Sequence, residues 1–350
     1  MREVLAEIEG WRAQGQAVAL ATVIQTWGSS PRGVGAKMAL TPGGQIAGSV
    51  SGGCVEGAVF ETGVKVIKTG RPQLLHFGVA DDTAWQVGLA CGGTIEVFVK
   101  PLDLAVYDAL RAVLAEERPV ASVLVVRGPA DLLGREIVLR DDGIVLGALG
   151  GGLDESALQA ARAALAEGQS GRHVLPSSAT EPVEVFVEVI LPSPTLVAVG
   201  GVHIAIALTA LAKTLGYRTV VIDPRKAFGS EARFPNVDRL IQAWPDEAFA
   251  QISLTRSTAV AMLTHDPKID DPALTIVLSS PAFYVGALGS RKTQEQRRKR
   301  LSTAGLSEAQ LARLHGPIGL DLGAQTPEEI ALAVMGQIVA ARNGRVQGSE

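Results

Sequence analysis

Residues 1–102 and 103–192 repeat one another, so any fold proposed for the first stretch has to serve the second as well. Adding 99 to the positions of Gly44, Gly48, Gly52, Gly53, Glu56 and Ala58 gives Gly143, Gly147, Gly151, Gly152, Glu155 and Ala157. The helical period of 3–14 returns in 103–118, and the β-branched run 18–24 returns in 120–126. Ile95-Glu96-Val97-Phe98-Val99 is echoed by Val183-Glu184-Val185-Phe186-Val187. Each copy reads as a small α/β module: a helix, a strand, a hairpin, a glycine-rich bend, a second helix and further strands.

The copies differ where chemistry would sit. In the first, Gly48-Ser49-Val50-Ser51-Gly52-Gly53-Cys54-Val55-Glu56 follows a strand-like run and precedes apolar residues at helical spacing, Val55, Val59, Val66 and Ile67. This spacing predicts that Cys54 lies in the first turn of a helix. N–H groups there have no intrahelical acceptor, so Gly52 and Gly53 can hold an anion, and the same positive end of the helix lowers a thiol's pKa. The bland alternative is a strand–turn–helix joint with Cys54 as small apolar filler. At the same offset Cys54 falls on Leu153, and the loop Trp27-Gly28-Ser29-Ser30-Pro31-Arg32 shortens to Arg127-Gly128-Pro129-Ala130-Asp131. The Cys91-Gly92-Gly93 run has no counterpart before the last strand of the second copy. A thiol kept with a basic loop in one copy and lost with it in the other points to function at Cys54, with Cys91 as a candidate companion.

With 39 glycines and 4% aromatic residues in 350, the chain suits an α/β protein of many tight turns, not a coiled coil or a disordered chain. A net charge of −4 gives no general attraction to nucleic acid or anionic membrane. Two cysteines form no disulfide framework, and the acidic amphipathic start lacks the pattern of a signal peptide, so a cytoplasmic location is expected. Thr195 to Ala212 carries no formal charge and approaches the length of a membrane span, but Gly200-Gly201 in its middle and His203 just after fit a buried strand turning into a helix.

Past Leu191-Pro192-Ser193-Pro194 a third region, 193–350, alternates strands and helices as a Rossmann-like three-layer domain does. Strand 195–199, a Gly200-Gly201 turn, helix 203–215 and strand 218–222 end at Asp223, 23 positions past Gly200 (223 − 200), where a dinucleotide fold holds a ribose hydroxyl. Val202 occupies the second glycine slot of the fingerprint, which weighs against NAD(P). Arg225 can serve a phosphate or pair with a surface carboxylate. Arg291 and Lys292 follow a strand's carboxyl end, a ligand position in open α/β sheets, whereas Arg297 to Arg300 read mostly as a solvated basic face. Ser307 with Gln310 and Thr326 with Glu329 predict capped helix starts.

Several stretches together resemble the xanthine dehydrogenase accessory factor family, XdhC/CoxI. They are Gly28-Ser29-Ser30-Pro31-Arg32, Gly35-Ala36-Lys37-Met38, Gly48 to Glu56 and Cys91-Gly92-Gly93. In the third region they are Gly200 to Ala205, Asp223-Pro224-Arg225, Tyr284 to Arg291, Pro317 to Asp321 and Thr326 to Ala331. The resemblance implies a maturation factor, not a turnover enzyme. It would bind the molybdenum cofactor (molybdopterin), hold it while a cysteine desulfurase helps install sulfur, and insert it into an apo molybdenum hydroxylase of the xanthine or carbon monoxide dehydrogenase type. Carried onto this chain, it places Ser30, Arg32, Lys37, Ser51, Gly52, Gly53 and Glu56 around the cofactor, with Cys54 on molybdenum or carrying sulfur and Cys91 assisting. Gly200, Gly201, His203, Asp223, Arg225 and Arg291 mark the Rossmann end. The family's Gly-Ala-Gly-His turn is Gly200-Gly201-Val202-His203 here, which keeps the histidine and loses the later glycine. Molybdopterin's phosphate suits the glycine N–H groups with Arg32 and Lys37, and its soft sulfur and metal suit Cys54. Trp27 would stack on the pterin or lie in the core.

Two other readings compete. One is an NAD(P)-dependent oxidoreductase using Asp223 with His203 or His265. The other is an adaptor that docks an apo-enzyme without touching cofactor. Whether the repeats pack within one domain or pair between subunits of a homodimer stays open at this level.

Overall fold

The computed structural model describes residues 1–78, 93–176 and 181–345. The chain divides into two compact units, Met1–Pro192 and Ser193–Glu350.

In the first unit α1 (Leu5–Ala13), β1 (Ala19–Trp27), β2 (Lys37–Leu40), β3 (Ile46–Gly48), α2 (Glu56–Thr69), β4 (Gln73–Phe77) and β5 (Thr94–Pro101) are followed by the same series again. The second series is α3 (Leu104–Ala115), β6 (Val120–Arg127), β7 (Glu136–Arg140), β8 (Val145–Gly147), α4 (Asp154–Glu167), β9 (Gly171–Leu175) and β10 (Val183–Ile190). The strand orders are β3-β2-β1-β5-β4 and β8-β7-β6-β10-β9, the same path through each antiparallel sheet.

Strand alternation gives each sheet two apolar faces. Ala21, Val23, Met38, Val97 and Val99 pack beneath Val59 and Val66 of α2, and the second sheet does the same with Ala157, Ala161 and Ala164 of α4. On the opposite faces the two sheets meet through Ile24, Phe98, Leu124, Val126 and Phe186. That contact also buries charge. Lys37 Nζ lies 2.7 Å from Glu188 and 3.1 Å from Thr22 Oγ1, and Lys100 pairs with Glu136. Burial pushes the Glu136 carboxyl up, but the Lys100 ammonium and the Ser122 hydroxyl outweigh it and hold the group below its ordinary range.

The second unit carries β11 (Thr195–Val199), α5 (His203–Thr214), β12 (Arg218–Ile222), β13 (Arg239–Ile241), α6 (Pro245–Phe249) and β14 (Thr258–Met262). It continues with α7 (Pro267–Leu278), β15 (Tyr284–Ala287), α8 (Arg291–Thr303), α9 (Glu308–Leu311), β16 (Leu314–His315) and α10 (Pro327–Arg342). Its six strands are all parallel in the order β13-β12-β11-β14-β15-β16, which is the 3-2-1-4-5-6 winding of a Rossmann fold. Both expected capping boxes form, Ser307 with Gln310 and Thr326 with Glu329. Among the described residues no helix is long and apolar enough to cross a membrane.

Candidate functional site

The bend between β3 and α2 turns on three glycines in the left-handed region, Gly48 (φ +72°), Gly52 (+80°) and Gly53 (+120°). At Gly48 a side chain is excluded twice over, since a Cβ would lie 2.3 Å from the Lys37 carbonyl oxygen. The tight bend aims successive N–H groups inward, an arrangement that attracts an anion.

The anion is the chain's own. The Glu56 carboxylate accepts from the N–H groups of Val50, Ser51, Gly52, Gly53 and Val55, and from the hydroxyls of Ser49 and Ser51, at 2.5 to 3.2 Å. Burial alone would raise its pKa, but the two hydroxyls and the backbone donors prevail and bring it to about 2. Ser51 Oγ accepts in turn from the N–H groups of Cys54 and Val55, both at 3.0 Å. Gly52 and Gly53 therefore have no N–H free for a phosphate, against the expectation drawn from their spacing.

Cys54 also sits one step earlier than expected. Val55 is the N-cap and α2 begins at Glu56, so Cys54 precedes the helix and stands exposed above the closed bend. Arg32 reaches the same bend, its Nε 3.2 Å from the Ser49 carbonyl and its guanidinium also paired with Glu3. Ser30 Oγ donates to the Arg32 carbonyl at 2.7 Å and shapes the loop, and a Cβ on Gly52 would meet Pro31 at 3.7 Å. Gly93 packs under the other side of this loop, where a Cβ would lie 2.0 Å from the Ser29 carbonyl oxygen. Trp27 is 45% exposed and tilted against His76, with ring centres 6.2 Å apart, so it is not core.

Thus Ser30, Arg32, Ser51, Gly52, Gly53, Cys54 and Glu56 come together. Lys37 does not join them, because its ammonium is buried between the sheets and committed to Glu188 and Thr22. Cys91 lies outside the described residues. Among those described, no three of His, Cys, Asp and Glu cluster to hold a bare metal ion. One exposed thiol instead suits a metal that arrives with its other ligands already in place.

The second copy's bend shows what is particular to the first. Asp154, the first residue of α4, accepts from the N–H groups of Leu149 and Gly150 at 2.7 and 3.1 Å. Asp154, not Glu155, is therefore the counterpart of Glu56, and the buried N-cap Leu153 answers Val55. From β3 to α2 the loop is 49–55, whereas from β8 to α4 it is 148–153, one residue shorter. Gly52-Gly53-Cys54 is answered by Gly151-Gly152 alone, so Cys54 has no partner in the repeat, which corrects the pairing with Leu153.

At the Rossmann turn the sequence-predicted residues gather but engage one another. Asp223 accepts from Gly201 N–H at 2.8 Å, from Arg225 N–H at 2.9 Å and from the Arg225 guanidinium at 2.7 and 2.9 Å. Burial raises the Asp223 carboxyl's pKa, and these donors more than reverse it, leaving it depressed. The Phe228 carbonyl presses on Gly201, where a Cβ would lie 2.4 Å from its oxygen. The Asp223 carboxylate, which would hold a ribose, is thus engaged by Gly201 and Arg225, so the geometry gives NAD(P) no support. His203 and Arg291 are exposed at the starts of α5 and α8. Arg297 departs from the expected solvated face. It is 1% exposed, 2.9 Å from Asp270 and 2.6 Å from Gln294 Oε1.

Comparison with known proteins bears on both units. The model of the XdhC and CoxI family matches residues 11–78 and 102–175, and that of the XdhC Rossmann domain matches 196–338. A Bacillus subtilis protein named as a probable subunit of xanthine dehydrogenase is 29% identical over 330 residues, covering 92% of each chain. The Escherichia coli molybdenum cofactor insertion chaperone PaoD is 26% identical over 344 residues, covering 94% of this chain and 84% of its own. A crystal structure described as a xanthine dehydrogenase from Bacillus halodurans superposes with a TM-score of 0.76 at 26% identity, covering 99% of this chain and 97% of that one.

Proposed function

The chain belongs to the XdhC and CoxI family, and on that premise we propose that it is a molybdenum cofactor-binding chaperone. In this reading it holds the cofactor during sulfuration, with a cysteine desulfurase as sulfur source, and delivers it to a molybdenum hydroxylase of the xanthine or carbon monoxide dehydrogenase type. Likeness to a cofactor insertion chaperone over 94% of the chain supports the role. The observation that carries it is the exposed Cys54 thiol standing on a bend that needs no ligand to hold its shape.

The residues present fit the group at its metal end. When bound, the cofactor supplies the molybdenum centre and the sulfur ligands that surround it. Cys54 would be the soft donor to that end, and the Glu56 network fixes the backbone from which it projects. Arg32, half-exposed and paired with Glu3, would be the cation for the phosphate, because the ionised Glu56 holds the glycine N–H groups and repels a second anion there. Trp27 presents an exposed aromatic face for the pterin.

Anaerobic incubation with molybdenum cofactor, followed by metal analysis of the protein fraction, tests the assignment. Wild type should retain molybdenum and Cys54→Ala should lose about tenfold or more, the scale of a lost charged or soft contact in a small site. Because the thiol is exposed, thermal unfolding should not move. Equal retention by the variant, with equal yield of active sulfurated hydroxylase, would remove Cys54 from the role.

A further inference from the structure

Arg32, which reaches the bend that carries Cys54, is already answered by a carboxylate of its own chain, Glu3. Glu3 is not a wandering surface group. It belongs to a 3-10 turn, Arg2–Val4, that Val4 pins to the sheet. Val4 is fully buried with Ile8, Trp11, Ala39 and Ala47, and a Cβ on Gly48 would lie 2.7 Å from its Cγ1. Glu3 Oε1 accepts from the Lys37 N–H at 3.0 Å, where β2 begins.

With one oxygen committed to the backbone, only Oε2 meets the guanidinium. The pair is therefore one-pronged, whereas an arginine and a carboxylate free to face each other join through two parallel bonds. Arg32 is held as well, since its Nε donates to the Ser49 carbonyl. The remaining donors of its guanidinium meet no acceptor among the described residues and stay available to an incoming oxyanion. A half-exposed pair of this kind is weak enough for a second anion to compete with it. The repeat offers the contrast. Arg135 donates to the Leu149 carbonyl at 3.1 Å in the bend that has no thiol, and among the described residues it meets no carboxylate.

We propose that Glu3 is a built-in counter-ion that weakens oxyanion binding at Arg32, so that a phosphate captured there can be given up again. The proposal rests on the reading of Arg32 as the cation for the cofactor's phosphate, and it assigns Glu3 to release. In the free protein Glu3 neutralises Arg32. When a phosphate arrives, the carboxylate stays anchored on the Lys37 N–H and repels the newcomer. A carrier that hands its cargo on is served by a bound state opposed in this way.

Molybdenum retention, measured at a cofactor concentration that half-loads wild type, tests it with Glu3→Gln, Arg32→Gln and the double variant. Glu3→Gln keeps an oxygen for the Lys37 N–H and removes only the charge. It should bind cofactor about two- to fivefold more tightly, a gain that loss of a merely structural contact would not give. Arg32→Gln should bind several-fold more weakly, and adding Glu3→Gln to it should change nothing further. Retention by Glu3→Gln equal to or below wild type, with Arg32→Gln still weakened, overturns the counter-ion and leaves the cofactor reading standing. A gain that survives in the double variant also overturns it, because Glu3 then acts otherwise than through Arg32. Retention by Arg32→Gln equal to wild type removes the phosphate from Arg32 and the counter-ion with it, and failure of wild type to retain molybdenum overturns both readings.

Discussion

The two bends of the duplicated unit, 49–55 and 148–153, solve the same backbone problem with different reserves. Both bring an acidic side chain from the first residue of the following helix back onto the N–H groups of the preceding turn. The second does so with two backbone donors and no hydroxyl, in the shorter loop. The first adds Ser49, Ser51 and one residue, and the extra residue leaves Cys54 outside the packed surface. The comparison teaches that the hydrogen-bonded bend, with an arginine donating to one of its carbonyls, is scaffold common to both copies (Arg32 to Ser49, Arg135 to Leu149), and that the projecting thiol is what the first copy adds.

The severest way to strain that comparison is to attack the contact by which one copy supports the other. Lys37→Met strands Glu188 between the sheets and should cost about 3–5 kcal/mol in urea unfolding, while Lys37→Met with Glu188→Met should recover most of it. Were the single variant harmless, the second copy could not be a rigid support for the first. Next in size, Glu56→Gln should cost about 2 kcal/mol and Asp154→Asn about 1 kcal/mol, since the first carboxylate satisfies more donors. Equal costs would erase the distinction between the bends.

The same carboxylate predicts a pH dependence. Its folded pKa of about 2 lies below the ordinary 4.5, so its stabilisation is complete above 4.5 and is lost as pH falls from there through about 2. Wild-type melting temperatures should drop across that window more steeply than those of Glu56→Gln. The smallest stability effect belongs to Arg32→Gln, under about 1 kcal/mol for a half-exposed pair with Glu3, although molybdenum retention should fall several-fold. A variant that retains cofactor fully would leave Arg32 with no part in holding it.

Much of this was legible in the residues. β-Branched runs gave the strands, Ser307 and Thr326 announced their helices, and the strand–turn–helix alternation past Pro194 foretold the parallel sheet. Three features of the first unit were not legible, for physical reasons. A one-residue deletion hides inside Gly150-Gly151-Gly152, because glycines align equally well in either register, and only the start of α4 reveals it. The donors that look vacant at Gly52 and Gly53 are filled by a side chain three or four positions on, a closure in space that spacing alone does not show. Lys37 looked like part of the basic loop, yet as the first residue of β2 it points to the opposite sheet. Arg297 likewise stood in a run of cations, of which it alone turns toward Asp270 in the interior.

The buried pairs between the sheets have one further consequence. By strand register Lys37 and Glu136 occupy equivalent slots, as do Lys100 and Glu188, so one copy is lysine at both and the other glutamate at both. Two leading copies brought together would set ammonium against ammonium, and two trailing copies carboxylate against carboxylate, each without water to soften the repulsion. The duplicated halves are thereby made mutually exclusive mates, and a thiol-bearing half cannot find a twin of itself in place of its own chain's support.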